Sequence, residues 1–126
     1  MIYKRNILVI GDFMLDKYVR GNVKRISPEA PSPVLNFNHY DYSLGGAGNV
    51  ASNLVDQNNN VYFITVLGND YYSKISKKLL SKKIKKVFIF KQKIKTTLKT
   101  RFQMNSHQFL RLDEEEKLNL NKNTLY

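Results

Sequence analysis

Val61-Tyr62-Phe63-Ile64-Thr65-Val66-Leu67 is a continuous apolar, β-branched and aromatic run closed by Gly68-Asn69-Asp70. It reads as a buried strand. Asn69 or Asp70 can cap a helix over about Tyr71 to Lys83. Tyr72, Ile75, Leu79 and Leu80 form its inner stripe, and lysines take the outer face. Val87 to Phe90 is a further buried strand. Strands alternating with helices build a mainly parallel sheet, so this stretch places the chain in the α/β class.

Upstream, Asn6 to Ile10 is a short apolar run closed by Gly11-Asp12, again a buried strand, parallel or central. Phe13 to Val23 is mixed and carries a turn signal at Gly21-Asn22. Residues 26–33 hold all three prolines and are expected to be extended, neither central strand nor helix. Val34 to Asn38 alternates like an edge strand. After Ser43-Leu44-Gly45-Gly46, the residues Ala47, Val50, Ala51, Leu54 and Val55 share one helical face, up to a loop at Asn58-Asn59-Asn60. Downstream, 96–104 and 107–112 read as two strands around a turn at Asn105-Ser106. The acidic run Asp113 to Glu116 reads as a solvated helix start, with a helix from Lys117 to Tyr126. Three core strands are few for a self-sufficient sheet of this kind.

A length of 126 residues suits one domain, and 42% hydrophobic with 25% charged residues excludes wholesale disorder. With no cysteine, disulfide scaffolds, cysteine-ligated zinc and iron–sulfur clusters are excluded. No apolar run approaches the ~20 residues of a membrane helix. Met1 to Arg5 does not open a signal peptide. A soluble, cytoplasmic protein is expected, with no membrane partner.

The formal net charge is +11. Residues 74–99 hold eleven lysines and no acid, and the other ten basic residues balance the ten acids. Such a segment is the footprint of a nucleic-acid or phosphate binder. Lysine outnumbers arginine sixteen to five, however, and Asn, Ile, Tyr and Phe abound. A/T-rich coding would produce that pattern without a partner, so nucleic acid is the less favoured reading.

Gly46-Ala47-Gly48-Asn49-Val50-Ala51 matches the G-x-G-x-x-A dinucleotide fingerprint, with Asp70 about twenty residues on for a ribose. The fingerprint belongs after the first strand, though, and the first strand here ends at Gly11-Asp12. A tight turn with close helix packing is the plainer alternative. Gly11-Asp12-Phe13-Met14-Leu15-Asp16 leaves the carboxyl end of a strand, where open α/β sheets place ligands and carboxylates can accept sugar hydroxyls. His39 and His107 lack metal-ligand spacing, and no metal site is expected.

Together, Val9 to Tyr18, the block Arg25-Ile26-Ser27-Pro28-Glu29-Ala30-Pro31-Ser32-Pro33-Val34, and Gly45 to Ala51 resemble the N-terminal part of the heptose-7-phosphate kinases. These are a branch of the ribokinase-like (PfkB) carbohydrate kinases. Lys95 to Arg101 and Gln108 to Asp113 fit the same family. The resemblance implies an α/β, Rossmann-type parallel sheet with a small β lid built from about 17–42 and 96–112, incomplete at its C-terminal end. It implies transfer of the γ-phosphoryl group of ATP, with Mg2+, to the anomeric hydroxyl of a heptose 7-phosphate, for ADP-heptose and lipopolysaccharide core synthesis. Asp16 matches the sugar-binding aspartate. Gly45, Gly46 and Asn49 match the substrate loop. Lys99 and Arg101 match basic lid positions facing the substrate phosphate.

The family's catalytic aspartate sits in a later G-A-G-D motif at a helix N-terminus, and neither it nor the ATP site is in this sequence. The catalytic residue is therefore expected downstream of Tyr126. Residues 1–126 are expected to be the N-terminal portion of the kinase domain, inactive alone. A second polypeptide supplying the ATP half and a homodimer through the lid are the partners implied. The alternatives are a basic nucleic-acid-binding module, a dinucleotide-binding domain through Gly46 and Gly48, and a non-functional remnant.

Overall fold

The computed structural model describes residues 3–105 and 107–117. In chain order the elements are β1 (Asn6–Ile10), β2 (Phe13–Ile26), β3 (Pro33–Gly46), α1 (Ala47–Asp56), β4 (Asn60–Leu67), α2 (Tyr71–Lys83), β5 (Lys86–Lys91), β6 (Leu98–Met104) and β7 (His107–Glu114). No helix among the described residues is long and apolar enough to cross a membrane.

Strands β1, β4 and β5 form a parallel three-stranded sheet in the order β1-β4-β5. The crossovers through α1 and through α2 step the same way across it. Right-handed crossovers then put both helices on one face. The side chains agree. Val61, Phe63, Thr65 and Leu67 of β4 are buried, as are Ala51 of α1 and Leu80 of α2. Among the described residues nothing covers the other face. On it Leu8 and Ile10 are 57% and 68% exposed, and Phe88 and Phe90 are 53% and 60% exposed. Ile10, Ile64 and Phe88 share one register row. Asn6–Ile10 and Lys86–Lys91 are therefore half-covered edge strands, not the buried ones expected from their apolar runs.

A second sheet has the order β3-β2-β6-β7. Strands β2 and β3 are each 14 residues long and pair antiparallel from Phe13↔Gly46 to Ile26↔Pro33. The turn expected at Gly21-Asn22 does not occur, because β2 runs straight through it. Gly21 serves a close approach instead: a Cβ there would lie 2.2 Å from the Asn36 carbonyl oxygen. The proline-rich segment forms the loop at the far tip, and Pro33 opens edge strand β3. β6 runs parallel to β2 and antiparallel to β7. Asn105, at φ 46°, begins the turn between β6 and β7, and Ser106 is outside the described residues. The acidic run is not a helix start: Asp113 and Glu114 complete β7, and Glu116 accepts the Lys95 N–H at 2.9 Å. The helix expected from Lys117 onward lies, beyond Lys117, outside the described residues.

The two sheets share one core. Phe13, Leu15 and Leu98, at the base of the second sheet, are buried with Val61, Phe63, Leu67, Ala51, Leu80 and Ile84. Leu15 and Leu98 are register partners.

A second tie is polar. The Asp70 carboxylate caps α2 by accepting the Ser73 N–H at 2.8 Å. It also accepts the Thr96 N–H at 2.7 Å and the Thr96 hydroxyl at 2.8 Å. The Thr96 hydroxyl oxygen in turn accepts the Gly68 N–H at 3.1 Å. Gly68 must lack a side chain, since a Cβ would meet the Ile94 carbonyl oxygen at 2.3 Å. Burial pushes the Asp70 carboxyl up, but the hydrogen bonds from Thr96 and Ser73 outweigh it and hold the group below the usual carboxylate value of 3.8.

Because the folded carboxyl is the stronger acid, its stabilising effect is complete above about pH 3.8 and is lost as pH falls through the lower folded value. Asp70→Ala is expected to lower unfolding free energy by about 1 kcal/mol or more at neutral pH, from the lost cap alone. Urea unfolding at a series of pH values should show the gap from the parent closing below pH 3.8. A pH-independent gap would contradict the assignment.

Candidate functional site

The carboxyl ends of β1 and β4 open onto a cavity of about 410 Å³ whose lining includes Asp12, Met14, Gly68, Lys95, Thr96 and Glu116. Open α/β sheets bind ligands at this end. Beside it, Gly45 and Gly46 end β3 and lead into α1. Gly46 has φ 55° and caps α1 with no side-chain hydrogen bond. A Cβ on Gly46 would lie 2.7 Å from the Asp12 carbonyl oxygen, which accepts the Ala47 N–H at 3.0 Å. Uncapped first-turn N–H groups at a helix start can meet an acceptor from a ligand.

Gly45 abuts Asp16: a Cβ there would lie 2.6 Å from Asp16 Oδ2. Asp16 is only 8% exposed, and its carboxylate is paired with Arg101. A buried carboxylate needs such a partner. Its neighbours in register are Ser43 on β3 and Lys99 on β6. One row further along, the Arg101 guanidinium lies over the Tyr18 ring at 5.5 Å. Lys99 Nζ lies 3.4 Å from Asp113 Oδ2, and Arg111 Nε lies 2.9 Å from Asp113 Oδ1.

The structure thus brings Asp16, Gly45, Lys99 and Arg101 into one cluster, with Gly46 at its edge against Asp12. Asn49 is the third residue of α1 and has an exposed side chain, apart from the ion pairs. Lys99 is not free, because Asp113 holds it. Tyr18, Arg111 and Asp113 complete the cluster and were absent from the sequence-derived set. The usable signal was alternation: Lys99 and Arg101, then Arg111 and Asp113, fall on one face of a hairpin turned at Asn105.

The dinucleotide reading fails on placement. Gly46 and Gly48 follow β3 of the second sheet, not β1. Asp70, needed for a ribose, is occupied by Ser73 and Thr96. Gly48 has a packing role, since a Cβ there would meet the Phe13 ring at 2.7 Å.

Comparison with known proteins gives a consistent set. Residues 4–125 match the family model described as pfkB family carbohydrate kinase. The bifunctional protein HldE of Campylobacter concisus is 41% identical over 116 residues, covering 90% of this chain and 25% of that protein. HldE of Helicobacter acinonychis is 42% identical over 120 residues, covering 93% of this chain and 26% of that protein. This chain therefore spans about a quarter of the length of the curated relatives it matches. Among solved structures, phosphofructokinase-2 of Escherichia coli in complex with fructose-6-phosphate superposes with TM-score 0.69 at 19% identity, covering 98% of this chain and 39% of that one. The ribokinase of Thermotoga maritima gives TM-score 0.62 at 15% identity, covering 88% and 36%. The fold is thus α/β and ribokinase-like.

Gly46→Ala is expected to destabilise the chain by about 1–3 kcal/mol, through strain at a positive φ and the clash with Asp12. Urea unfolding of the variant beside the parent measures this, and an unchanged midpoint would contradict the strained turn.

Proposed function

Because this chain belongs to the pfkB family of carbohydrate kinases, we propose that it carries the sugar-binding side of a heptose-7-phosphate kinase. The observation that carries this reading is a buried carboxylate, Asp16, held between Gly45 and Arg101 just beyond the carboxyl end of β1. The relatives at about 40% identity over most of this chain are HldE proteins, which supports the heptose branch over other sugar kinases.

In this reading Asp16 accepts a hydrogen bond from a sugar hydroxyl and gives up part of its pairing with Arg101 to do so. Gly45 and Gly46 let the ring approach the backbone, and Asn49 bonds a second hydroxyl from the first turn of α1. The second sheet is the lid, over about 17–42 and 96–112, and keeps water off the sugar. The γ-phosphoryl group of ATP goes to the anomeric hydroxyl, with a carboxylate outside residues 1–126 removing that proton. Among the described residues no three His, Cys, Asp or Glu side chains converge as cation ligands. In this reading ATP and its Mg2+, which the family implies, are held by other polypeptide.

The bare face of the β1-β4-β5 sheet supports assembly with that further polypeptide, in the same chain or a second one. Phe37, Tyr40, Leu110 and Leu112 are exposed on the second sheet and support a homodimer through the lid.

Titration calorimetry with heptose 7-phosphate tests the reading. The parent chain should bind. Asp16→Asn should weaken binding about tenfold or more, as expected for a hydrogen bond to a charged group. Asn49→Ala should weaken it less. Absence of binding by a chain shown folded by circular dichroism would overturn the proposal, as would affinity unchanged in both variants.

A further inference from the structure

We propose that the cavity at the amino-terminal end of the β1-β4-β5 sheet is an anion site, fitted to a small phosphoanion with two or more charges. It lies at the opposite end of β4 from the sugar site, so it does not rest on the sugar reading. Strand β4 is eight residues long, which separates the two ends by roughly 25 Å.

The cavity measures about 350 Å³, and its lining includes Lys4, Lys83, Lys85 and Lys86. Three of these belong to the basic segment 74–99, which the sugar reading uses only at Lys99. Ile84 accounts for their convergence. It ends α2 with extended backbone, φ −117° and ψ 123°, and its side chain is 1% exposed. This buried side chain pins the chain where the helix gives way to β5, with a lysine on either side. Lys86 then opens β5 opposite Tyr62 in register, and its Nζ lies over the Tyr62 ring at 4.7 Å. A ring contact orients an ammonium group without neutralising it. Across the cavity, the Asn60 N–H donates to the Arg5 carbonyl at 2.8 Å, and the Arg5 N–H donates to Asn59 Oδ1 at 3.3 Å. Those two bonds hold the segment that carries Lys4 against the loop after α1.

The charge count leaves a surplus. Asp56 takes Lys83 at 2.5 Å. Among the described residues no carboxylate pairs with Lys4, Lys85 or Lys86. Helix C-termini attract lysines, and that explains Lys82 and Lys83 in the last turn of α2. It does not explain Lys85 and Lys86, which lie beyond the helix, or Lys4, which is on another segment. The last carbonyls of α1 need no lysine either. Those of Asn53, Leu54 and Val55 already accept the N–H groups of Gln57, Asn59 and Asn58. A cleft lined by one sign of charge concentrates its field on a ligand, whereas an open lysine face spreads it. Phosphoanions suit such a cleft, because each phosphoryl group offers several charged acceptor oxygens to ammonium groups.

Calorimetry on the full chain, with inorganic pyrophosphate as probe at constant ionic strength, tests the site. The parent should bind. Lys4→Ala/Lys85→Ala should weaken binding about tenfold or more. Asp56→Asn should strengthen it severalfold, because Lys83 is released. Lys74→Ala/Lys78→Ala removes two exposed lysines of α2 outside the cavity and should leave affinity unchanged. Absence of binding by a chain shown folded by circular dichroism overturns the site, as does unchanged affinity in Lys4→Ala/Lys85→Ala. Equal weakening by both double variants also overturns it, since the attraction is then a diffuse one. A single-stranded oligonucleotide that outbinds pyrophosphate and weakens equally in both double variants assigns the lysines to nucleic acid and likewise overturns it.

Discussion

The Asp70 carboxylate joins two pieces of backbone that the chain order separates. One oxygen caps α2, and the same group grips Thr96 through its N–H and its hydroxyl. Thr96 lies just ahead of β6, so this contact sets where β6 starts. From there β6 runs beside β2, and Lys99 and Arg101 arrive next to Asp16. Gly68 is the other half of the crossing, because only a missing side chain lets the Ile94 to Thr96 backbone lie against the end of β4. Leu15 and Leu98 seal the joint with apolar contact. A polar crossing point backed by a buried leucine pair thus fixes the four-stranded sheet relative to the three-stranded one.

Handedness accounts for the other large feature of the fold. With both helices forced onto one face, β4 alternates between a packed side and an open side, and the edge strands expose Leu8, Ile10, Phe88 and Phe90. Apolar side chains on both faces are the signature of a strand covered twice. These strands carry that signature while only one cover lies among the described residues. The same fact supports the assembly with further polypeptide proposed above.

Local signals were readable wherever the cause is local. The run Val61 to Leu67, the cap at Asp70 and the helix over Tyr71–Lys83 all follow from neighbours in the chain, and the structure has them. The α1 stripe and the glycine turn at Gly45-Gly46 are equally local. What could not be read was non-local. Gly21-Asn22 looks like a turn in isolation, but Gly21 answers to the Asn36 carbonyl across the ladder. Asp113 looks like the start of an acidic helix, and only the pairing of β6 with β7 shows it clamping Lys99 and Arg111. Asp16 and Gly45 could be singled out because a family pattern marks them. Tyr18 and Arg111 could not, because their place in the cluster depends on a register that no short motif encodes.

The parallel pairing of β2 with β6 has a kinetic consequence. Asp16 and Arg101 are 85 positions apart, and everything from β3 to β5 lies between them. The β2–β3 ribbon can zip from its own loop, and the β4–α2–β5 unit needs only near neighbours. Contacts between distant positions carry the largest loop-closure cost and form slowly. The ion pair at the heart of the site therefore belongs to the last stage of folding. A nascent chain would acquire its helices and its apolar interior well before Asp16 and Arg101 could meet.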